Sequence, residues 1–288
     1  MSAAWEFFGW ILAKAPLRAG SLCRLLFFLV PMVLFAQHPA EKTVYFYSSE
    51  TNINNFSLLK SEFDAFFLSH GGFRFQPFRE KGQFELQVHA QPSGVFLVSS
   101  WHFRDLAESL DLEPVLVGSF RGQNTYKKIL ITRKGVTEFP PKKRLTIASS
   151  GSEEYAHVLL AQMAGDRLSP KDYRLLTVPK DIDALMSVGF GMADAALATE
   201  RSLEKLADLN PTLYRGTVKQ AESEQVMLPI VVVKTGMDGE ARAVIQSFES
   251  MSDKAEGRRK LKLLGLDDWT ALSDDQRRQL LQKKRGAL

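Results

Sequence analysis

The stretch RLTIASSGSEEYAHVLLAQM, residues 144–163, predicts an apolar strand that runs through a hydroxyl-rich turn directly into a helix. The turn consists of Ser149, Ser150, Gly151 and Ser152. The first turn of a helix has backbone N–H groups without intrahelical partners and carries the positive end of the helix dipole. Serine hydroxyls add donors, and glycine allows the backbone to approach closely. The stretch therefore predicts a cradle for a phosphate-like or carboxylate group.

The same turn has a second interpretation, in which it only begins the helix. Ser150 or Ser152 would then be the N-cap, and Glu153 or Glu154 would complete a capping box. Taken alone, the stretch favours the cap. The rest of the chain has to decide between the two interpretations.

The composition is that of a globular protein with one large or two medium-sized domains. The chain has 288 residues, of which 45% are hydrophobic and 24% are charged, and its formal net charge is +4. Part of that charge lies in residues 1–36, which contain three basic residues and one acid, Glu6. The other residues comprise 34 basic and 32 acidic side chains, a net charge of +2. This balance weakly favours an anionic partner and argues against nucleic acid as a partner.

Residues 1–36 predict a signal peptide that directs export to the periplasm. Arg18 and Arg24 precede an apolar run at residues 25–36 that is too short for a standard membrane span. The basic region is long and has an apolar patch of its own, so an uncleaved N-terminal anchor is the alternative. If Cys23, the one cysteine, leaves with the signal, the mature protein has neither a disulfide nor a thiol nucleophile.

Beyond residue 42, short apolar runs alternate with amphipathic helical stretches, a pattern typical of an α/β fold with parallel sheets covered by helices. Polar segments at residues 133–143 and 219–225 interrupt this pattern and predict that the chain crosses twice between two lobes. The predicted division is residues 43–135 plus 222–270 for the first lobe, 144–218 for the second lobe, and 271–288 for a C-terminal helical tail.

Polar residues follow several of the predicted strands, at the ends where open α/β sheets bind ligands. Apart from the serine turn, they are Ser49 with Glu50, Ser100 with Trp101, and Asp194 with Thr199 and Glu200. We therefore expect a small anionic ligand to lie between the lobes. Each residue also has a structural interpretation: Trp101 as cover for the core of the first lobe, Glu50 as a surface acid, and Asp194 as a turn or cap residue.

Three runs of the sequence carry a family resemblance. They are LEPVLVGSFRGQNTYKKILITRKG at 112–135, DIDALMSVGFGMADAALATERSLEKL at 181–206 and AESEQVMLPIVVVKTG at 221–236. In this order they resemble the strand, glycine and tyrosine segment, the helix, glycine and Asp-Ala-Ala unit, and the return crossing of one family. That family is the phosphate, phosphite and phosphonate type of periplasmic substrate-binding protein, the PhnD-like proteins of ABC transporters. The resemblance extends over roughly residues 43–270.

The resemblance implies a periplasmic binding protein of type II fold. In this fold two α/β lobes, joined by a two-strand hinge, close on an oxyanion that is then delivered to an ABC permease. The phosphonate cradle of the family falls on Ala148, Ser149, Ser150 and Gly151, so one hydroxyl is missing. Its ligand-facing acid falls on Asp194.

Two further positions depart from the family pattern. The ligand histidine of the family falls on Asp181, and its aromatic residue falls near Phe103 or Trp101. An ionised Asp181 about 5 Å from a dianion would be repelled by ~3 kcal/mol per charge at an effective dielectric constant of ~20. We therefore expect the ligand to bring a proton or a positive group. The alternative is that Asp181 only begins its helix, as an acid favoured by the dipole.

The sequence contains no arrangement typical of an enzyme. Its five histidines include no pair spaced for a metal, and there is neither a nucleophile elbow nor a phosphate loop. We expect a monomeric periplasmic solute-binding protein without a cofactor, whose partners are a small anionic solute and an ABC permease. The alternative is a sensory module of the same fold that reports its ligand to a membrane kinase or cyclase.

Overall fold

The computed structural model describes residues 42–282, except for residues 51, 52, 54, 137–143 and 235–237. The expected signal peptide or anchor at residues 1–36 lies outside the described residues. Within the described ranges, no helix has both the length and the apolar character that crossing a membrane requires.

Strands and helices alternate along the chain. The strands are β1 (Thr43–Phe46), β2 (Arg74–Pro77), β3 (Val95–Val98), β4 (Leu112–Ser119), β5 (Thr125–Tyr126), β6 (Lys128–Arg133), β7 (Leu145–Ser149), β8 (Tyr173–Thr177), β9 (Ala195–Thr199), β10 (Thr217–Glu222), β11 (Val226–Met227), β12 (Ile230–Lys234) and β13 (Asp268–Ala271). The α-helices are α1 (Phe56–His70), α2 (Lys81–Ala90), α3 (Ser100–Ala107), α4 (Glu153–Ala164), α5 (Asp181–Gly189), α6 (Glu200–Leu209), α7 (Pro211–Arg215), α8 (Asp238–Glu249), α9 (Ala255–Leu263) and α10 (Asp274–Leu281).

The first lobe is built on a six-stranded sheet in the order β13-β4-β12-β3-β1-β2. β1 is parallel to β2 and β3, whereas β12 is antiparallel to both β3 and β4. Helices α1, α8 and α9 cover one face, where Phe63, Phe66 and Phe67 recur at helical spacing on α1 and are fully buried. Helices α2, α3 and α10 cover the other face. Both faces of this sheet are therefore covered by helices and buried from solvent.

The second lobe is built on a five-stranded sheet in the order β10-β6-β9-β7-β8. β7 is parallel to β8 and β9, and β6 is antiparallel to β9 and β10. Tyr155, Leu159 and Leu160 of α4 pack on one face, and α5 with α6 packs on the other. The prediction of an α/β protein with two lobes is confirmed.

Two short strands form the hinge between the lobes. β5 and β11 pair in antiparallel fashion, with Tyr126 opposite Val226 and Thr125 opposite Met227. The chain enters the second sheet from β5 into β6 and returns from β10 into β11. Each crossing thus passes through one strand of a two-strand ribbon.

The crossing expected at residues 133–143 is wrong. β6 and β7, which lie on either side of that segment, both belong to the second sheet, so the strand at Lys128–Arg133 is not part of the first lobe. The chain crosses instead between residues 120 and 127. Prolines and basic residues indicate a connection between two strands. They do not show whether the next strand belongs to the same sheet or to the other sheet. Both sheets are also mixed and not purely parallel, because β6 and β12 run against their neighbours.

Candidate functional site

The loops that follow β1 and β7 meet where the two lobes face each other. The Ser152 N–H donates to the Ser49 carbonyl oxygen at 2.8 Å, and the Ser49 hydroxyl lies 2.8 Å from that of Ser99, which follows β3. A Cβ atom on Gly151 would lie 3.0 Å from the Ser49 oxygen. The structure therefore brings the serine turn of the second lobe against the loop of the first lobe that contains Glu50.

The serine turn combines a helix cap with a donor that points elsewhere. The Ser152 side chain accepts from the Tyr155 N–H at 3.2 Å and is the N-cap of α4. The Ser149 hydroxyl accepts from the Gly151 N–H at 3.4 Å. The Ser150 hydroxyl instead donates to the carboxylate at the start of α5, at 2.5 Å. Capping therefore accounts for Ser152 but not for Ser150.

The acid at the start of α5, Asp181, is enclosed by donors from three segments of the second lobe. Lys128 Nζ lies 2.9 and 3.1 Å from its two carboxylate oxygens, and the Thr199 N–H donates to it at 2.8 Å. The Ser150 hydroxyl completes the set. Burial would raise the pKa of Asp181, but the charge of Lys128 and the surrounding hydrogen bonds outweigh burial and lower the pKa. Asp181 is thus an ionised carboxylate whose hydrogen bonds are made inside the protein.

Glu50 is a buried acid on the first-lobe side of the cleft, with 5% of its surface exposed. Its Oε1 atom has no hydrogen-bond partner among the described residues. Burial raises the pKa of Glu50 from 4.5 to about 7, while the Tyr126 hydroxyl and the charge of Lys128 oppose the rise and the charge of Asp181 adds to it. A carboxyl group with this pKa donates or accepts a hydrogen bond near neutral pH.

An aromatic bridge connects the hinge, the first lobe and the second lobe beside the buried acid. The Tyr126 hydroxyl of β5 is 2.9 Å from the Tyr155 hydroxyl of α4, and the Trp101 ring packs 5.7 Å from the Tyr155 ring. Lys81 Nζ lies 5.2 Å from the Trp101 ring and forms an ion pair with Glu154 at 2.9 Å. Burial raises the pKa of both tyrosines, so their hydroxyl groups remain protonated at neutral pH. Trp101 therefore contacts both lobes.

Two residues expected to contact ligand have structural roles instead. Phe103 is fully buried in the core between α3 and the first sheet, so its ring does not reach the cleft. Ser100 is buried as well, and its hydroxyl donates to the Met227 carbonyl oxygen at 3.0 Å. This bond ties the start of α3 to the hinge strand β11.

Asp194 lies away from the serine turn, and its expected place at the carboxyl end of a strand is wrong. Its Oδ2 atom accepts from the Thr146 N–H at 2.9 Å, and its own N–H donates to the Thr146 oxygen at 2.8 Å. β9 begins after Asp194 and runs parallel to β7, so Thr199 is the residue at the cleft end. At ~3.3 Å per residue, the Cα atoms of Asp194 and Thr199 are about 16 Å apart.

The sequence analysis named Thr199 among the polar residues at strand ends but did not assign Tyr126, Lys128 or Tyr155 to the site. Lys128 had a usable signal, because it begins the apolar strand KILITR and a charge in a buried strand needs a partner. That partner is 53 residues away in the sequence, so spacing did not reveal it. Tyr155 carried no such signal, since a tyrosine on the apolar face of a helix is ordinary core.

The arrangement offers hydrogen-bonding groups to a bound solute. Among the described residues, no group of three or more histidine, cysteine, aspartate or glutamate side chains could hold a metal ion. A hydrolase that used Ser150 would need a base beside it, yet His157 of α4 makes its hydrogen bond with the Tyr173 hydroxyl. The cluster offers fixed donors, a buried carboxyl group and two tyrosine hydroxyls.

Gly151→Val is expected to keep the two lobes apart. Even a Cβ atom would lie 3.0 Å from both the Ser49 oxygen and the Tyr155 ring, and the first of these is backbone that cannot rotate away. Small-angle scattering should give a larger radius of gyration for the variant than for the wild type. Ser152→Ala is the matched control, because it removes the cap of α4 but retains the backbone N–H that contacts Ser49. Equal radii for all three proteins would contradict the prediction.

One comparison with known proteins identifies the family. The family model of the periplasmic substrate-binding protein of phosphonate ABC transporters matches residues 73–276. No curated protein sequence matches the chain at a significant level.

Three solved structures illustrate the similarity of fold. A binding protein component of an ABC phosphonate transporter from Pseudomonas aeruginosa is 17% identical, with a TM-score of 0.62, over 83% of this chain and 85% of that one. A protein from Xanthomonas citri bound to ATP is 13% identical, with a TM-score of 0.60, over 83% and 94% of the two chains. A PhnD1 protein from Prochlorococcus marinus in complex with methylphosphonate is 10% identical, with a TM-score of 0.59, over 83% and 95%. At these identities the similarity shows the type II periplasmic binding fold.

Proposed function

Because the chain belongs to the family of periplasmic substrate-binding proteins of phosphonate ABC transporters, we propose that it captures a small phosphate- or phosphonate-like oxyanion between its two lobes and delivers it to an ABC permease. The family is one of transport proteins and not of enzymes. Export by the N-terminal segment, as a cleaved signal peptide, is part of this proposal, as is action as a monomer.

The observation that carries the proposal is the meeting of two polar loops across the lobes. The turn that contains Ser150 ends at the N-terminus of α4, where the helix dipole favours an anion. Opposite it, the loop after β1 contains Glu50, one oxygen of which has no hydrogen-bond partner in the described ranges. Buried polar atoms are rarely left without a hydrogen bond in native proteins, so this atom supports a bound solute at the same place.

The proposed binding residues come from both lobes and the hinge. Ser49, Glu50 and Trp101 contribute from the first lobe, Tyr126 from the hinge, and Ser149, Ser150, Gly151, Ser152, Tyr155 and Asp181 from the second lobe. Ser150 and Asp181 act as one hydrogen-bonded unit, since the first donates to the second. Tyrosine hydroxyls that stay protonated are suitable donors to a ligand oxygen.

The proposed mechanism is closure about the hinge. β5 and β11 contribute only two residues each, so a small change in their backbone angles is enough to rotate one lobe on the other. The Lys81–Glu154 ion pair and the contact between Ser152 and Ser49 join the lobes in the closed form. Closure expels water from the cleft and strengthens the hydrogen bonds made inside it.

A ligand screen with two readouts tests the proposal. The exported protein is incubated with phosphonates and with phosphate monoesters and diesters, and its unfolding temperature is measured against sodium sulfate as a control for salt. We expect at least one compound to raise the unfolding temperature, since a ligand at 100 times its Kd adds about 2.7 kcal/mol of stability. The same compound should decrease the radius of gyration.

Two outcomes would contradict parts of the proposal. If none of these compounds stabilises the protein more than sulfate does, the ligand class is wrong. If a compound binds without compaction, closure about the hinge is wrong. Copurification of the protein with a membrane kinase or cyclase in place of a permease would favour the sensory module.

A further inference from the structure

The anion cradle of the second lobe is already filled by a carboxylate of the protein itself. Asp181 accepts hydrogen bonds from the Ser150 hydroxyl and the Thr199 N–H. It also pairs through both oxygens with Lys128, whose side chain is buried. A ligand group that entered this cradle would compete with Asp181 for the same donors.

The charges of this unit cancel. Lys128 and Asp181 together contribute no net charge, so no unpaired cation of this cluster is left for a doubly ionised ligand. Interactions between charges that are removed from water are strong. A dianion beside Asp181 would therefore be opposed by like-charge repulsion.

A second observation points to what the cleft does accept. Glu50 is 95% buried, and its Oε1 atom has no hydrogen-bond partner within the part of the chain that the structure describes. Around it lie the Tyr126 hydroxyl of β5, the Lys128 ammonium of β6, Tyr155 of α4 and Asp181 of α5. None of these described groups satisfies that oxygen, so it is available to a solute bound in the cleft.

We propose that Asp181 acts as a built-in anion, which makes the cleft discriminate against doubly ionised phosphonates. The cleft instead selects a singly ionised oxyanion that shares one proton with Glu50 Oε1. The proton has two equivalent origins. Protonated Glu50 donates to the ionised oxygen of a singly ionised ligand, or ionised Glu50 accepts from the P–OH group of the same ligand. In both cases one proton lies between the two oxygens. This inference rests on the proposed function and specifies the ionic form of its ligand.

Calorimetry with methylphosphonate at pH 6 and pH 8.5 tests the inference. At pH 8.5 a phosphate-like group, with a second pKa of about 6, is doubly ionised. The wild-type protein is expected to bind methylphosphonate at least tenfold more weakly at pH 8.5 than at pH 6. Asp181→Ala, which releases the donors of the cradle, is expected to bind it at least tenfold more tightly than the wild type at pH 8.5.

Asp183→Ala is the matched control. It removes the same charge from the same first turn of α5, and Asp183 has no place in the cluster. Its affinity for methylphosphonate should equal that of the wild type at both pH values. Asp181→Asn, which retains an acceptor for the Thr199 N–H, is the second variant if Asp181→Ala does not fold.

The outcomes separate this inference from the proposed function. If the wild type binds methylphosphonate equally well at both pH values, or if Asp183→Ala gains as much affinity as Asp181→Ala, Asp181 is not a selective anion and only this inference fails. If neither the wild type nor any variant binds methylphosphonate at either pH, the inference fails, and the proposed function fails with it only if the ligand screen also gives no oxyanion that binds.

Discussion

Lys128→Met is expected to lower the free energy of unfolding by about 3–5 kcal/mol, because it leaves Asp181 buried without its counter-ion. The lysine is 3% exposed and lies 2.9 Å from the carboxylate. The neutral donors that remain, from Ser150 and Thr199, do not balance a full charge. Urea unfolding of both proteins at pH 7 measures the loss.

Two control variants separate the buried charge from other effects of the substitution. Lys128→Met combined with Asp181→Leu removes both charges and should recover most of the lost stability, since apolar replacement of a buried pair is often neutral. Lys219→Met breaks an exposed pair with Glu222 and should change stability far less. A double variant as unstable as the single variant would contradict the account, because then lost packing and not the lone charge would be the cause.

We expect Glu50 to make the free energy of unfolding of the wild-type protein decrease between pH 4.5 and pH 7. Burial raises the pKa of this side chain from 4.5 to about 7, so the folded protein holds a proton that the unfolded chain releases. The contribution is fully present below pH 4.5 and is lost as the pH rises through 7. At 1.36 kcal/mol per pKa unit, the loss is about 3 kcal/mol.

Glu50→Gln tests this part of the pH profile. The amide has nearly the same shape and does not titrate, so the difference in unfolding free energy between the variant and the wild type should grow by about 3 kcal/mol from pH 4.5 to pH 8. Glu80→Gln, which replaces an exposed acid of the same lobe, should follow the wild-type profile. Parallel profiles for wild type and Glu50→Gln would contradict the prediction, because they would mean that Glu50 is solvated.

Local patterns predicted the strand, turn and helix of the second lobe well. The apolar run and the serines are contiguous in sequence, and the structure has β7 at Leu145–Ser149, Ser152 as the cap and α4 from Glu153. The three runs that carry the resemblance also indicated the correct family. These features depend on neighbours within a few residues or on a conserved order of segments, and both can be read along a chain.

Features that depend on distant partners could not be predicted in this way. The sheet to which β6 belongs is decided by its pairing with β9, about 70 residues later. The burial of Glu50 depends on contacts with the hinge and with the second lobe. Asp194 was misplaced because it precedes β9 and therefore lies at the end of the strand opposite the cleft. The spacing of residues along the chain does not reveal the pairing of β6, the burial of Glu50 or the position of Asp194.

The place of β12 between β3 and β4 has a consequence for how the chain folds. Ile230 of β12 pairs with Val98 of β3, about 130 residues earlier, whereas all strands of the second sheet come from the continuous segment between them. Contacts so distant in sequence form slowly because a long loop has to close first. As the chain emerges from a translocation channel, the second lobe is able to complete its sheet while the first still has an open gap. The first lobe is therefore expected to set the folding rate, and until β12 pairs, the edges of β3 and β4 that it will occupy stay open to aggregation.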